Sequence, residues 1–382
     1  MSEMKTLILS CDTGEGHNSC AKAIAEEFLS RGEECEICEA LHFLSEGAQK
    51  LITSGHTFMY RHTPKLYQSG YRFSENHPDM FHESSKVYEV FAKAALPLYE
   101  YIRDGGFDTV ICVHLFPALM VTKILELYDP ELCTAFVATD YTCSPSVGDS
   151  RLGCCFIPAP SLAGEFVTGG ISAELIVPSG IPIRPEFYTR APKAEAKRSF
   201  GIEPSHQHLV AMTGSIGCGP LKELTETLAE TMTYEQELTV VCGANEKLHR
   251  HLASRYAGWA NIHILGFEKN VSLLLDSADL YLTKPGGISV TEAAAKALPM
   301  VLIDAIAAVE EYNLDFFTKA GAAVTAATPE ELAHCCLELL AEPERRAEMS
   351  AAIAEAVPLN AAETIYETMC ELHRMSIKAV DM

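Results

Sequence analysis

Residues 279–304 read DLYLTKPGGISVTEAAAKALPMVLID, and the order of residue types in this stretch decides the fold class. A short apolar run ends at Lys284, and Pro285-Gly286-Gly287 breaks it. A helical period then runs through Ser289, Val290, Glu292, Ala293, Ala294, Ala295 and Leu298, and after Pro299 a second apolar run spans Met300 to Ile303. Strand, glycine turn, helix, strand is the grammar of a parallel α/β unit. Adjacent glycines let the backbone come close to a ligand, and a helix start leaves N–H groups pointing outward at the positive end of the helix dipole. Gly286, Gly287, Ile288 and Ser289 are therefore candidates for holding phosphate. Glu292, early in the helix, is a candidate acceptor for a sugar hydroxyl. A helix that uses glycine only for a tight turn fits the same letters.

Working outward, the 382 residues exceed one ordinary core and imply two domains. Hydrophobic content of 48% with 21% charged residues is globular rather than disordered. A formal charge of −23 argues against a nucleic-acid binder, which needs a basic face, and disfavours an anionic membrane unless positive charge is concentrated locally. The apolar run after Met4 is too short for an export signal and meets Asp12, and no stretch approaches a membrane span. Fourteen cysteines in such a chain read as reduced cytosolic thiols. Cys35 and Cys38 form a CxxC inside a strand-like run without a second ligand pair, so they read as buried small residues rather than a zinc site.

The N-terminal run Lys5 to Ser10, KTLILS, enters Cys11-Asp12-Thr13-Gly14-Glu15-Gly16-His17 and then a helical period through Ala21, Ile24, Ala25 and Phe28. Strand, glycine loop and helix again form a βα unit, whose loop falls at the ligand-binding edge of an open sheet. The loop lacks both GK[ST] and GxGxxG. Imidazole is the side chain best suited to act as a base near neutral pH, which makes His17 a candidate base, or else a brace for the loop. Further apolar runs, Phe107 to Val113 and Cys133 to Thr139, fit strands covered on both faces. His114 and Asp140 follow them, and His114 either faces the ligand edge or caps the next helix. Residues 41–73 interleave Phe43, Leu44, Phe58, Met59, Tyr60, Tyr67, Tyr71 and Phe73 with Lys50, Arg61, Lys65 and Arg72. Such a mixture fits a patch that dips into lipid headgroups, and equally an amphipathic helix pair with solvated charges.

A fresh βα pattern opens at His208 to Thr213, followed by Gly214-Ser215-Ile216-Gly217-Cys218-Gly219-Pro220. Glu237 to Cys242 leads into Gly243-Ala244-Asn245, and Ile262 to Phe267 forms the next run. The Pro/Gly-rich stretch LIVPSGIPIRPEF at 175–187 reads as a stiff connection between domains.

KPGGISVTEAAAKALPMVL is similar to the nucleotide-sugar signature of the monogalactosyldiacylglycerol synthase and processive diacylglycerol glucosyltransferase family, related more distantly to the N-acetylglucosaminyl transferase that forms lipid II. The loop ending at His17 resembles that family's GGGH, with Glu15 replacing a glycine, and Gly243-Ala244-Asn245 resembles its CGxN. The Tyr60, Pro64, Tyr67 and Tyr71 spacing resembles its acceptor-side insertion, and GIP near 180 its domain boundary. The resemblance implies two Rossmann-like domains facing a cleft, the GT-B fold: an acceptor domain at 1–180 with a helix at 361–382 folded back onto it, a linker at 181–204, and a nucleotide-sugar domain at 205–360. It implies an inverting transfer of a hexose from a uridine diphosphate sugar to a lipid alcohol such as diacylglycerol, with no metal and no cofactor. His17 would be the base at the acceptor hydroxyl, with Gly14, Gly16, His114, Asp140, Tyr67 and Tyr71 on the acceptor side. On the donor side would stand Gly214, Ser215 and Asn245, Phe267 at the base, Gly286 to Ser289 at the diphosphate, Glu292 on the ribose and Glu310 on the sugar. The place implied is the cytoplasm, with peripheral contact at the inner face of the plasma membrane. Ser144, Val147 and Gly153 stand where the family has histidine, tryptophan and aspartate, and Val309 where it has the sugar-binding glutamine. Those departures keep open a soluble acceptor, or a protein that binds sugar nucleotide without turnover.

Overall fold

The computed structural model describes residues 4–12, 14–52, 69, 72–73, 76–77, 82, 85–215, 217, 219–305 and 308–380. The chain divides into two compact units, one of residues 1–184, 307–309 and 358–382, the other of residues 185–306 and 310–357. Each unit is built on its own six-stranded sheet, and every strand pairing in both is parallel.

In unit 1 the strands are β1 (Lys5–Ser10), β2 (Glu34–Glu39), β3 (Thr109–Cys112), β4 (Cys133–Val137), β5 (Cys154–Ile157) and β6 (Ile176–Pro178). They lie in the order β2-β1-β3-β4-β5-β6. Helices α1 (Glu15–Ser30), α2 (Lys86–Ala92), α3 (Ala95–Gly105), α4 (Leu115–Tyr128) and α5 (Ala163–Thr168) alternate with them. Every residue of β3, β4 and β5 is buried, which is why these strands read as continuous apolar runs rather than as alternating ones. The edge strand β2 is different. Glu34, Glu36 and Glu39 line it and discourage pairing with another chain. Cys35 and Cys38, three residues apart on this strand, point to opposite faces and are half-buried rather than buried. Burial lifts their thiols to about 12 and about 11.

In unit 2 the strands are β7 (Gln207–Met212), β8 (Gln236–Val241), β9 (Ile262–Leu265), β10 (Leu280–Thr283), β11 (Met300–Leu302) and β12 (Ala323–Thr325), ordered β12-β11-β10-β7-β8-β9. Its helices are α6 (Lys193–Ser199), α7 (Leu221–Thr231), α8 (Glu246–Arg255), α9 (Val271–Ser277), α10 (Gly287–Ala295), α11 (Ala308–Lys319), α12 (Pro329–Ala341) and α13 (Pro343–Ala356). Helix α12 begins with a complete capping box, Thr328 bonding the Glu331 N–H while the Glu331 carboxylate returns to the Thr328 N–H. From Pro185 on, the stretch expected as a linker, 181–204, is folded into this unit. The ammonium of Lys197, on α6, pairs with Asp279 at 2.8 Å, and Lys296 binds the Thr189 carbonyl and Asp276. A proline-rich composition marks a stiff chain, and here the stiff chain is packed. The C-terminal helix α14 (Ala361–Val380) belongs to unit 1. It buries Ile365 and Met369, sets Tyr366 edge-on to Phe28 of α1 at 5.2 Å, and pairs Glu363 with Arg31 at 3.0 Å.

In unit 1 the chain turns one way from β1 to β2 and the other way to β3, so the direction of winding reverses between β1 and β3. In unit 2 the same reversal falls between β7 and β10. Loops leaving the carboxyl ends of strands at such a point diverge, and the crevice they leave is where open α/β sheets bind ligands. Among the described residues no helix is long and apolar enough to cross a membrane.

Candidate active site

At the reversal point of unit 1, β1 feeds the loop that ends at Gly14, and His17 lies in the first turn of α1. No side chain caps that helix, and a Cβ at Gly14 would meet nothing within 4 Å. Packing therefore does not require a glycine there. His17 Nδ1 lies 2.9 Å from the Val113 carbonyl oxygen, at the end of β3. A carbonyl can only accept, so Nδ1 carries the proton and Nε2 keeps the lone pair. Thr139 Oγ1, just beyond β4, stands 3.2 Å from the same Nδ1. The His114 ring packs edge-on to His17 at 4.7 Å. His114 itself caps α4, its Nδ1 accepting the Phe116 N–H at 3.1 Å. Asp140 follows Thr139, half-buried, and its carbonyl takes the Thr142 N–H. Thus β1, β3 and β4 bring His17, His114, Thr139 and Asp140 to one edge. Cys11, in the same loop, is no nucleophile: burial, with the nearby charge of Glu39, pushes its thiol well above the ordinary range.

The remaining acceptor-side positions fall differently. Tyr67 and Tyr71 lie outside the described residues, as do Phe58, Met59, Tyr60, Arg61 and Lys65. Val147 is buried in the core of unit 1, and Gly153 gives its N–H to Thr134 Oγ1 at 3.0 Å. Val147 is thus absorbed into the scaffold, while Gly153 stays exposed.

At the reversal point of unit 2 two glycine turns lie on neighbouring strands. Gly214 and Ser215 follow β7, with φ of +79° at Gly214, and Pro285-Gly286-Gly287 follows β10. Gly286 is the N-cap of α10, and no side chain caps this helix either. Gly287, Ile288 and Ser289, the residues expected from the sequence to meet an anion, form the first turn of α10. Asn313, wholly buried on α11, holds the turn by donating to the Pro285 carbonyl at 2.9 Å. Glu292 is buried on α10 at 7% exposure, and Glu310 in the first turn of α11 at 4%. Glu310 receives a hydrogen bond from Lys284, which the sequence reading did not single out although it stands next to the glycines. Asn245 spends its side chain on the scaffold: Oδ1 caps α8 by accepting the Leu248 N–H at 3.0 Å, and Nδ2 donates to the Gly217 carbonyl at 2.9 Å. An asparagine directly before a helical run is a cap signal, and that signal was legible. Phe267, beyond β9, is 66% exposed. Among the described residues no group of three His, Cys, Asp or Glu side chains is placed to hold a metal ion.

Residues 17–183 match the family model described as monogalactosyldiacylglycerol (MGDG) synthase, and residues 220–356 match glycosyl transferases group 1. A processive diacylglycerol beta-glucosyltransferase of Bacillus pumilus is 25% identical over 376 residues, covering 96% of this chain and 94% of that one. The enzyme of the same name from Staphylococcus carnosus is 26% identical over 235 residues, a match that spans 62% of this chain and 60% of the relative. Among solved structures, Acinetobacter baumannii MurG superposes with a TM-score of 0.64 at 14% identity, covering 97% of this chain and 99% of MurG. That likeness establishes the fold as GT-B.

Proposed function

We propose, from the similarity of this chain to monogalactosyldiacylglycerol synthases and processive diacylglycerol glucosyltransferases, that it moves a hexose from a uridine diphosphate sugar to a lipid alcohol, diacylglycerol above all, with inversion at the anomeric carbon. The observation that carries this reading is the state of His17. Its Nδ1 is committed to the Val113 carbonyl, which presents the basic Nε2 lone pair as the proton acceptor. The acceptor hydroxyl gives its proton to Nε2, its oxygen bonds to the anomeric carbon, and the bond from that carbon to the diphosphate oxygen breaks with its electrons on the nucleotide. The leaving diphosphate carries the largest charge that develops. The amides of Gly287, Ile288 and Ser289, at the positive end of α10, are oriented to stabilise it without a metal ion. Phe267 stacks on the base, and Glu292 and Glu310 take hydroxyls of the ribose and sugar. Val309 offers the sugar no hydrogen bond where the family has glutamine, and a missing bond of this kind costs about 1 kcal/mol. That shifts the choice of hexose without abolishing transfer. The protein would act as a peripheral enzyme at the cytoplasmic face of the membrane.

The test is to incubate the protein with radiolabelled uridine diphosphate sugars and diacylglycerol vesicles, with and without EDTA. Labelled glycolipid in both conditions is expected. No product with any pair, together with no binding of uridine diphosphate, would end the reading. Ser144 and Val147, where the family places histidine and tryptophan, support a second reading with a soluble acceptor. Vesicle flotation separates the two, since a lipid enzyme co-floats.

A further inference from the structure

Lys284 is the residue around which both glycine turns of unit 2 are shaped. It follows β10, whose neighbour β7 ends at Gly214. A Cβ on Gly214 would lie 3.1 Å from Lys284 Cε, and a Cβ on Gly286 would lie 3.1 Å from Lys284 Nζ. Both contacts are tighter than side chains normally accept, so the two glycines keep open the channel along which the lysine runs. Its ammonium ends on Glu310 Oε1, 3.7 Å from the same Gly286 position, beside the uncapped first turn of α10. The lysine side chain is 17% exposed and the glutamate 5%. A pair so nearly buried loses most of what it gains to desolvation, so stability alone is a poor reason for it. What the pair does accomplish is to fix a cation between two glycine turns, where an arriving anion would meet it.

Resting on the donor reading above, we propose that Lys284 is the diphosphate-binding cation of this site and that Glu310 holds it until the donor arrives. Donor binding passes the ammonium from the carboxylate to the diphosphate. Glu310, relieved of its cation, is compensated by the hydroxyls of the donor sugar. The sugar and the diphosphate are therefore felt through one lysine. A nucleotide without sugar must compete with Glu310 for Lys284 and gives the carboxylate nothing in return. The intact donor satisfies both groups, which discriminates the donor from the spent nucleotide.

The test measures affinity for uridine diphosphate and for uridine, by calorimetry, in wild type, Lys284→Met, Lys284→Arg, Glu310→Gln and the double variant. Glu310→Gln is expected to bind uridine diphosphate more tightly, by about tenfold, a coupling of ordinary size. Lys284→Met should bind it about tenfold more weakly, the double variant should match Lys284→Met, and Lys284→Arg should restore most of the affinity. Uridine, lacking phosphate, should bind all five alike, which a collapsed or unfolded site would not do. If Glu310→Gln weakens uridine diphosphate, or Lys284→Met leaves it unchanged while wild type binds it, the exchange of the lysine is overturned and the donor reading stands. If wild type itself binds no uridine diphosphate, the donor reading falls and takes this inference with it.

Discussion

The two units share an architecture of six parallel strands with helices between them, yet they differ in the charge they bury. Among the described residues, the buried lysines and glutamates, Lys197, Glu237, Glu292, Lys296 and Glu310, all lie in unit 2. Both units bury hydroxyls and a histidine, but among the described residues unit 1 buries more thiols, Cys11, Cys20, Cys112, Cys133, Cys154 and Cys155 against Cys242 and Cys336. The same fold can thus be built with or without lysines and glutamates locked inside it. Part of the charge in unit 2 faces a site, as at Glu310, and part braces the scaffold, as at Lys296. Each half therefore has its own weakness.

The sharpest division is chemical. His17→Ala should lower kcat by about 10²- to 10⁴-fold, the worth of a general base, and leave the affinity of unit 2 for uridine diphosphate unchanged. Kinetics and calorimetry on the same preparation check it, and a parallel loss of nucleotide affinity would break the division of labour between units. Next comes Lys296→Met. It strands Asp276, whose partner ammonium is 1% exposed, and should cost unit 2 about 3–5 kcal/mol. Hydrogen exchange should show β7 and β10 opening while β1 and β3 keep their protection.

Titration gives the third contrast. His208 is buried, and desolvation lowers its pKa to about 4. Unfolded histidine binds a proton near 6.5 and the folded one does not, so unit 2 should lose on the order of 3 kcal/mol as pH falls from about 6.5 to about 4. Glu237 and Asp279 add to this. Burial alone would raise them, but hydrogen bonds from His263, the Glu203 N–H and His206 hold Glu237 below its ordinary value, and Lys193 and Lys197 do so for Asp279. In unit 1 burial lifts Cys133 to about 11 and Cys154 and Cys155 to about 12. Their unfolded counterparts ionise first, so unit 1 should weaken as pH rises above about 8.5. Unit 2 yielding first in acid and unit 1 first in alkali, by hydrogen exchange, is the expected pattern. Thr139→Val is the smallest change. It removes the hydroxyl beside His17 Nδ1 and should lower kcat about fivefold, the worth of one neutral hydrogen bond, with no shift in melting temperature.

Strands and glycine turns were legible because their signals are local. KTLILS is β1 from Lys5 to Ser10, and the quoted stretch 279–304 contains β10, α10 and β11 in the order read. Apolar runs and Gly-Gly pairs act on their own backbone, so position in sequence is enough to find them. The tautomer of His17 is not local: it is set by a carbonyl 96 residues away. Glu310 and Lys284 meet across 26 residues, and only the glycines around Lys284 hinted that something needed the room. Asn245, a donor-side candidate, caps α8, a role that its place directly before the helix marks in the sequence. Residues 185–204 looked like a tether because proline dominates the run before them, whereas Lys197 anchors them by tertiary pairing that no periodicity shows.

Helix α14 gives the order of synthesis a consequence of its own. Unit 2 is completed by residue 357, while unit 1, begun first, still lacks the helix that covers Phe28. On the ribosome the second half can settle before the first is sealed. Until residues 361–380 emerge, the nascent chain carries an open seam along α1.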